Sequence, residues 1–227
     1  MYWIIQIPTR YYLRKLCYDT SINTLNHKWL WLVISLCLIA IGLGMYFLPQ
    51  SPLWPQERVA LGLPYRAEDP PIYIEPMGET INHPIHQTPY GHPGIDFRWD
   101  HSTEIIASLD GKVSAIEPIV DHKTSLVNIK VRSGKYAISY DELERPGDGV
   151  IVGSELRKGD VVGYVHPEFL QMHWDFGYAM PFGEPLCPMT YFEESARKLI
   201  EKHWQDAHYK YRDKFPDICS GDFANRH

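Results

Sequence analysis

From Trp29 to Leu48 the chain runs for twenty residues without a charge, and this stretch separates two parts that must meet different surroundings. As a helix rising about 1.5 Å per residue it would measure roughly 30 Å, the thickness of a bilayer's hydrocarbon core. Trp29, Trp31 and Tyr46 fall near its ends, where interfacial aromatics are expected. A buried core helix is the competing reading, but this segment is apolar on every side and strongly flanked. A cleaved signal peptide has a shorter apolar region, and no Ala-x-Ala-like site follows Leu48. Arg10, Arg14, Lys15 and Lys28 outnumber Asp19 ahead of the run, which favours an inside N-terminus. The expectation is a cytoplasmic segment 1–28 and a single-pass helix 29–48 in the inner (cytoplasmic) membrane. The rest would then lie in the periplasm or outside the cell.

Beyond the run, residues 49–90 hold nine prolines and little periodicity, which reads as an extended tether that becomes ordered from about Ile72. From Ile95 to Tyr178 short apolar-alternating runs stand between turn signals. Gly111–Ile116, Leu126–Arg132, Tyr136–Tyr140 and Val161–Val165 read as strands, punctuated by Asp110-Gly111, Ser133-Gly134 and Lys158-Gly159-Asp160. No helix-length segment separates them, so the expected fold is all-β and antiparallel. After a Gly- and Pro-rich loop, Thr190-Tyr-Phe-Glu193 fits a capping box. Phe192, Ala196, Leu199, Ile200, Trp204 and Ala207 follow at helical spacing, predicting a helix that ends near residue 210. A hydrophobic content of 44% with 22% charged residues is that of a globular chain. The net charge of −6 gives no support to a nucleic-acid partner.

Cysteines stand at 17, 37, 187 and 219, with no Cys-x-x-Cys pair, so a cysteine-rich zinc site is not expected. In an oxidising exterior Cys187 and Cys219 are free to bridge and pin the C-terminal tail. Metal-binding chemistry is carried instead by His92 and Asp96 in Gly91-His-Pro-Gly-Ile-Asp-Phe97. Pro93-Gly94 rules out a helix here, and on a straight strand the two Cα atoms would stand roughly 13 Å apart. A tight turn at Pro93-Gly94, folding His92 back over a strand that carries Asp96, is the remaining geometry. If Leu170–Phe176 is a strand, Gln171, His173 and Asp175 share one face, and Met172, Trp174 and Phe176 share the other. His92, Asp96 and His173 then form a His₂Asp set that would leave zinc a fourth position. Asp175 is placed to support the site or its strand, and His83 and His86, in the Pro-rich stretch ahead of His92, are two further candidates to line the site.

Taken in order, these motifs resemble the lysostaphin-like (LytM-type) zinc endopeptidases, whose hallmarks are His-x-x-x-Asp and, later, His-x-His. His92-Pro-Gly-Ile-Asp96 matches the first. Ala107–Val113, the strand reaching Tyr140, and Leu156–Gly163 add family-like context, so the resemblance covers about residues 75–180. It implies an antiparallel β-sandwich of the duplicated hybrid motif type and zinc-dependent cleavage of peptidoglycan peptides. His92, Asp96 and His173 take the places of the zinc ligands. Two departures stand out. Gln171 occupies the position of a catalytic histidine, and Tyr140-Asp-Glu142-Leu143 offers Glu142 where another is usual. Zinc, Glu142 as base, Tyr140, and Gln171 as an amide donor are the expected catalytic set. The expected layout is a linker at 49–75, a peptidase domain at 76–186 and a helical extension at 187–227. A degenerate relative that binds cell wall, or regulates another hydrolase as its protein partner, is the alternative. Lipoyl- and biotinyl-type carriers share the Gly-Lys-Val and Lys-Gly-Asp-Val-Val-Gly phrases, but no lysine here has the setting such a domain modifies.

Overall fold

The computed structural model describes residues 29–39, 59–82, 91–121, 124–179 and 183–225. The chain divides into two compact units, Met1–Glu57 and Arg58–His227. In the first, residues 29–39 form a helix on which Trp29, Trp31, Leu36 and Leu38 are exposed. Residues 40–48 of the expected span, and the segment 1–28, lie outside the described residues. Among the described residues no helix is long and apolar enough to cross a membrane.

The second unit is built on antiparallel strands: β1 (Tyr73–Glu75), β2 (Ile95–Arg98), β3 (Glu104–Ile106), β4 (Gly111–Asp121), β5 (Thr124–Ser133), β6 (Tyr136–Pro146), β7 (Glu155–Leu156), β8 (Val161–Val165) and β9 (Gln171–Tyr178). They are ordered β1-β2-β9-β6-β5-β4-β7, with β8 joining β3 to β6. The strands form one hydrogen-bonded network, because β6 serves two parts of it. Its first half, Tyr136–Asp141, pairs with β9 and its second half, from Leu143, pairs with β8. The change of partner falls at Glu142, a non-glycine residue at φ +66. The Glu142 N–H leaves the ladder and donates to Asn128 Oδ1 at 3.1 Å. Such a bulge inserts one residue and reverses the facing of all that follow.

Period-two alternation decides what lies inside. Tyr136, Ile138 and Tyr140 of β6, and Met172, Trp174 and Phe176 of β9, are buried, as is Phe97 of β2. Full burial of each such apolar side chain stabilises the fold by roughly 1.5–3 kcal/mol. The packed unit also begins earlier than Ile72. Leu61, Leu63 and Tyr65 alternate inside the Pro-rich stretch and are buried, and Leu61 exchanges backbone hydrogen bonds with Tyr191 and Glu193.

The C-terminal helix runs from Glu194 to Asp206 and buries Ala196, Ile200, His203 and Trp204. The expected capping box does not form. Thr190 ends a 3₁₀ turn, Pro188–Thr190, and the Glu193 side chain makes no cap, pairing with Lys158 instead. The helix stops short of residue 210 because Ala207 turns extended and the Arg212 guanidinium takes the freed carbonyls of Trp204, Gln205 and Ala207. Cys187 and Cys219 are bridged. Beyond the helix, the tail lies beside Met77, whose N–H donates to Ile218 O and whose carbonyl accepts from Ser220 N, each at 2.9 Å.

Candidate metal centre

Asp96 on β2 and His173 on β9 stand directly opposite each other. The chain before β2 bends at Pro93-Gly94 and lays His92 over both, as the turn chemistry predicts. Gly94 is the residue that permits this approach. A Cβ there would lie 2.3 Å from Asp175 Oδ1, 2.6 Å from Trp174 O and 2.8 Å from His173 Cε1. Both sides of His92 are held as well: its N–H donates to Glu79 O at 2.9 Å, and its carbonyl accepts from Gly78 N at 2.8 Å.

Three side-chain atoms converge as a result. His173 Nδ1 is 2.7 Å from Asp96 Oδ1, His92 Nε2 is 3.1 Å from His173 Nδ1, and His92 Nε2 is 3.2 Å from Asp96 Oδ1. A tetrahedral zinc with bonds near 2.0–2.2 Å spaces its ligands about 3.3–3.6 Å apart, so small shifts of these side chains would open the triangle to the size that ion needs. The outer nitrogens agree with this. His92 Nδ1 lies 3.4 Å from Pro76 O, which can only accept, and His173 Nε2 lies 3.1 Å from Asp175 Oδ1. With those nitrogens carrying the protons, a lone pair on each ring and a carboxylate oxygen point at one another. A cation would satisfy all three buried atoms at once. His92 and Asp96 are only 2% and 3% exposed, so water does not relieve the repulsion. The residues present fit zinc.

Without an ion, protons carry that charge. Burial alone would depress His173, but the carboxylates of Asp175 and Asp96 outweigh it and hold the imidazole well above its ordinary range. Burial would raise Asp96, yet its hydrogen bonds from His173 and His92 prevail and hold it well below the usual carboxylate range. Asp141, opposite His173 on β6, is pushed up to about 6 by burial, with the Asp175 charge adding to the effect.

The expected catalytic residues divide. Gln171 and Glu142 come together, Gln171 Nε2 donating to Glu142 Oε2 at 2.5 Å. Gln171 precedes His173 by two on β9 and shares its face, while the bulge turns Glu142 out of the core. Tyr140 is not with them. It is 0% exposed, packed opposite Trp174, and its hydroxyl accepts from Ser108 N at 2.8 Å. Alternation assigns Tyr140 to the core face of β6 and gives the site face to Asp141, which the sequence reading did not single out. The signal was present in Tyr140-Asp141, one step of a period-two strand. His83 and His86 lie outside the described residues.

No family profile matches the sequence, and no curated protein matches it. Among solved structures, the chain is similar to Csd3 of Helicobacter pylori at 16% identity, over 74% of this chain and 44% of that one, with a TM-score of 0.46. It is similar to a zinc containing peptidase from Vibrio cholerae at 17% identity, over 57% of this chain and 39% of that one, with a TM-score of 0.42. It is also similar to the catalytic domain of lysostaphin, an antimicrobial peptidase from Staphylococcus simulans, at 16% identity, over 56% of this chain and 97% of that one, with a TM-score of 0.40. The chain thus spans less than half of the first two proteins.

Proposed function

We propose that this chain is a zinc-dependent endopeptidase that hydrolyses peptide bonds of bacterial peptidoglycan, held at the cytoplasmic membrane by the apolar run 29–48. The observation that carries the reading is the convergence of His92 Nε2, Asp96 Oδ1 and His173 Nδ1 to within 3.2 Å of one another. Zinc bound there supplies Lewis acidity to a peptide carbonyl and lowers the pKa of water. The chain's own residues do the rest. Asp175 orients the His173 ring, and Pro76 O orients that of His92. Gln171 fixes where the Glu142 carboxylate lies. Glu142 takes the proton of the attacking water and passes it to the departing amine. The uncharged run and its basic N-terminal flank support the anchor and an exterior site. The disulfide is consistent with that compartment.

A second reading has its own observation. Gln171 and Glu142 hold one another in the two positions where the family's catalytic histidines are expected. A cleft so arranged suits a metal-binding relative that recognises cell-wall peptides, or regulates a partner hydrolase, without cutting them. Full-length zinc-loaded protein in detergent, incubated with isolated peptidoglycan, separates the two. New peptide ends that disappear on chelation and in His173→Ala establish the peptidase. One equivalent of zinc with no new ends establishes the second reading.

A further inference from the structure

A cavity of about 530 Å³ opens beside the ligand triangle, from Pro93 past Asp141 and Asp175 to Tyr178 and Pro185. Its floor is the β6–β9 pair, in the register Asp141 opposite His173, Ser139 opposite Asp175, and Ala137 opposite Gly177. The far end is therefore paved with Ala and Gly, and the end at the metal ligand carries two carboxylates. The Glu184–Pro185 backbone closes over Gly177 at that far end, and the register places the two carboxylates beside His173.

The charge at the near end is unbalanced. Among the described residues Lys130 is the cation that lines the cavity, and its Nζ is committed to Glu117 at 2.9 Å. Asp141 accepts from the Ser139 hydroxyl. Asp175 Oδ1 lies 3.1 Å from His173 Nε2, the ring it orients. With zinc present, the ion's two positive charges would face the carboxylates of Asp96, Asp141 and Asp175, with two neutral imidazoles beside them. Negative charge remains, in a partly enclosed place where attraction for a cation is stronger than in water.

We propose that this trough holds the substrate peptide, and that Asp141 and Asp175 select a residue bearing a free amino group next to the bond presented at the metal centre. The assignment rests on the peptidase reading for the words "substrate" and "bond", but not for the binding itself. An ammonium brings three donors and one positive charge to two carboxylates whose neighbours are the Ser139 hydroxyl and the metal ligand His173. Its source is either a diamino side chain or a peptide's free N-terminus, and the same chemistry serves both.

Calorimetry on the full-length zinc-loaded protein in detergent tests this with three peptides: acetyl-Ala-Lys-Ala-amide, its Nε-acetyl-lysine counterpart, and Ala-Ala-Ala-amide with a free N-terminus. At least one amine-bearing peptide is expected to bind about tenfold tighter than the fully acetylated one, and the tighter of the two names the source. Asp141→Asn should reduce that preference to within about twofold while zinc content stays at one equivalent. If circular dichroism shows Asp141→Asn unfolded, wild-type protein serves, since the preference must shrink as salt rises from about 0.05 to 0.5 M. Equal affinity for amine and acetylated forms, a preference untouched by salt, or no measurable binding of any peptide overturns the proposal. Amine preference without hydrolysis would sink only the peptidase. Hydrolysis without amine preference would sink only this subsite.

Discussion

Removing the Cys187–Cys219 bridge is expected to weaken both the fold and the metal site. The bond closes a loop with a sequence separation of 32. The chain-entropy relation gives about 12 cal/mol/K for that length, or about 3.7 kcal/mol at 25 °C. The effect should extend beyond the unfolded state, because the bridge anchors a tail that supports a ligand. Ile218 and Ser220 bracket Met77, the next residues Gly78 and Glu79 bracket His92, and Pro76 O receives the His92 ring. The double variant Cys187→Ala/Cys219→Ala should therefore lose about 3–4 kcal/mol in urea unfolding, followed by tryptophan fluorescence in chelator. Its zinc Kd, measured by competition with a chromophoric chelator, should rise about tenfold, as for loss of groups that orient a metal ligand. A variant within about 1 kcal/mol of the parent, with zinc affinity unchanged, would show that the tail is held without the bond and refute this chain of support.

Three more outcomes follow from the geometry. Glu142→Gln should cut peptidoglycan cleavage by about 10²–10⁴-fold with zinc content intact, whereas Tyr140→Phe should leave cleavage unchanged and cost about 1–3 kcal/mol in unfolding experiments by orphaning Ser108 N. Gly94→Ala forces a methyl group against Asp175, the Trp174 carbonyl and the His173 ring, and should destabilise the protein by about 1–3 kcal/mol and abolish stoichiometric zinc binding. In metal-free protein, Asp96 is held low and contributes stability above its unfolded pKa near 4, which is lost as pH falls through its folded value. His173 is held high and contributes below its unfolded pKa near 6.5, a contribution lost as pH rises through its folded value. Urea midpoints of the chelated protein should thus peak between about pH 4 and 6.5, and in His173→Ala the decline on the alkaline side should flatten.

The sequence alone determined features that depend on local chemistry. A Pro-Gly turn before a strand leaves few conformations, so His92 could be brought back to Asp96 before any packing was known. Alternation placed Met172, Trp174 and Phe176 inside and turned His173 and Gln171 the other way. Helical spacing fixed the buried face of the C-terminal helix. Features that depend on a distant partner were decided by the tertiary structure. The capping box failed because Lys158, 35 residues away, took the Glu193 carboxylate. Leu61, Leu63 and Tyr65 joined the core although prolines masked their alternation, since Tyr191 and Glu193 supplied the backbone partners. The bulge at Glu142 is the clearest case. Strict alternation would put Tyr140 and Glu142 on the same face, but one residue at positive φ, tied to Asn128, separates them. Tyr140 stays in the core and Glu142 emerges beside Gln171. A period-two pattern cannot foresee that, because the extra residue is specified by the neighbouring strand rather than by its own.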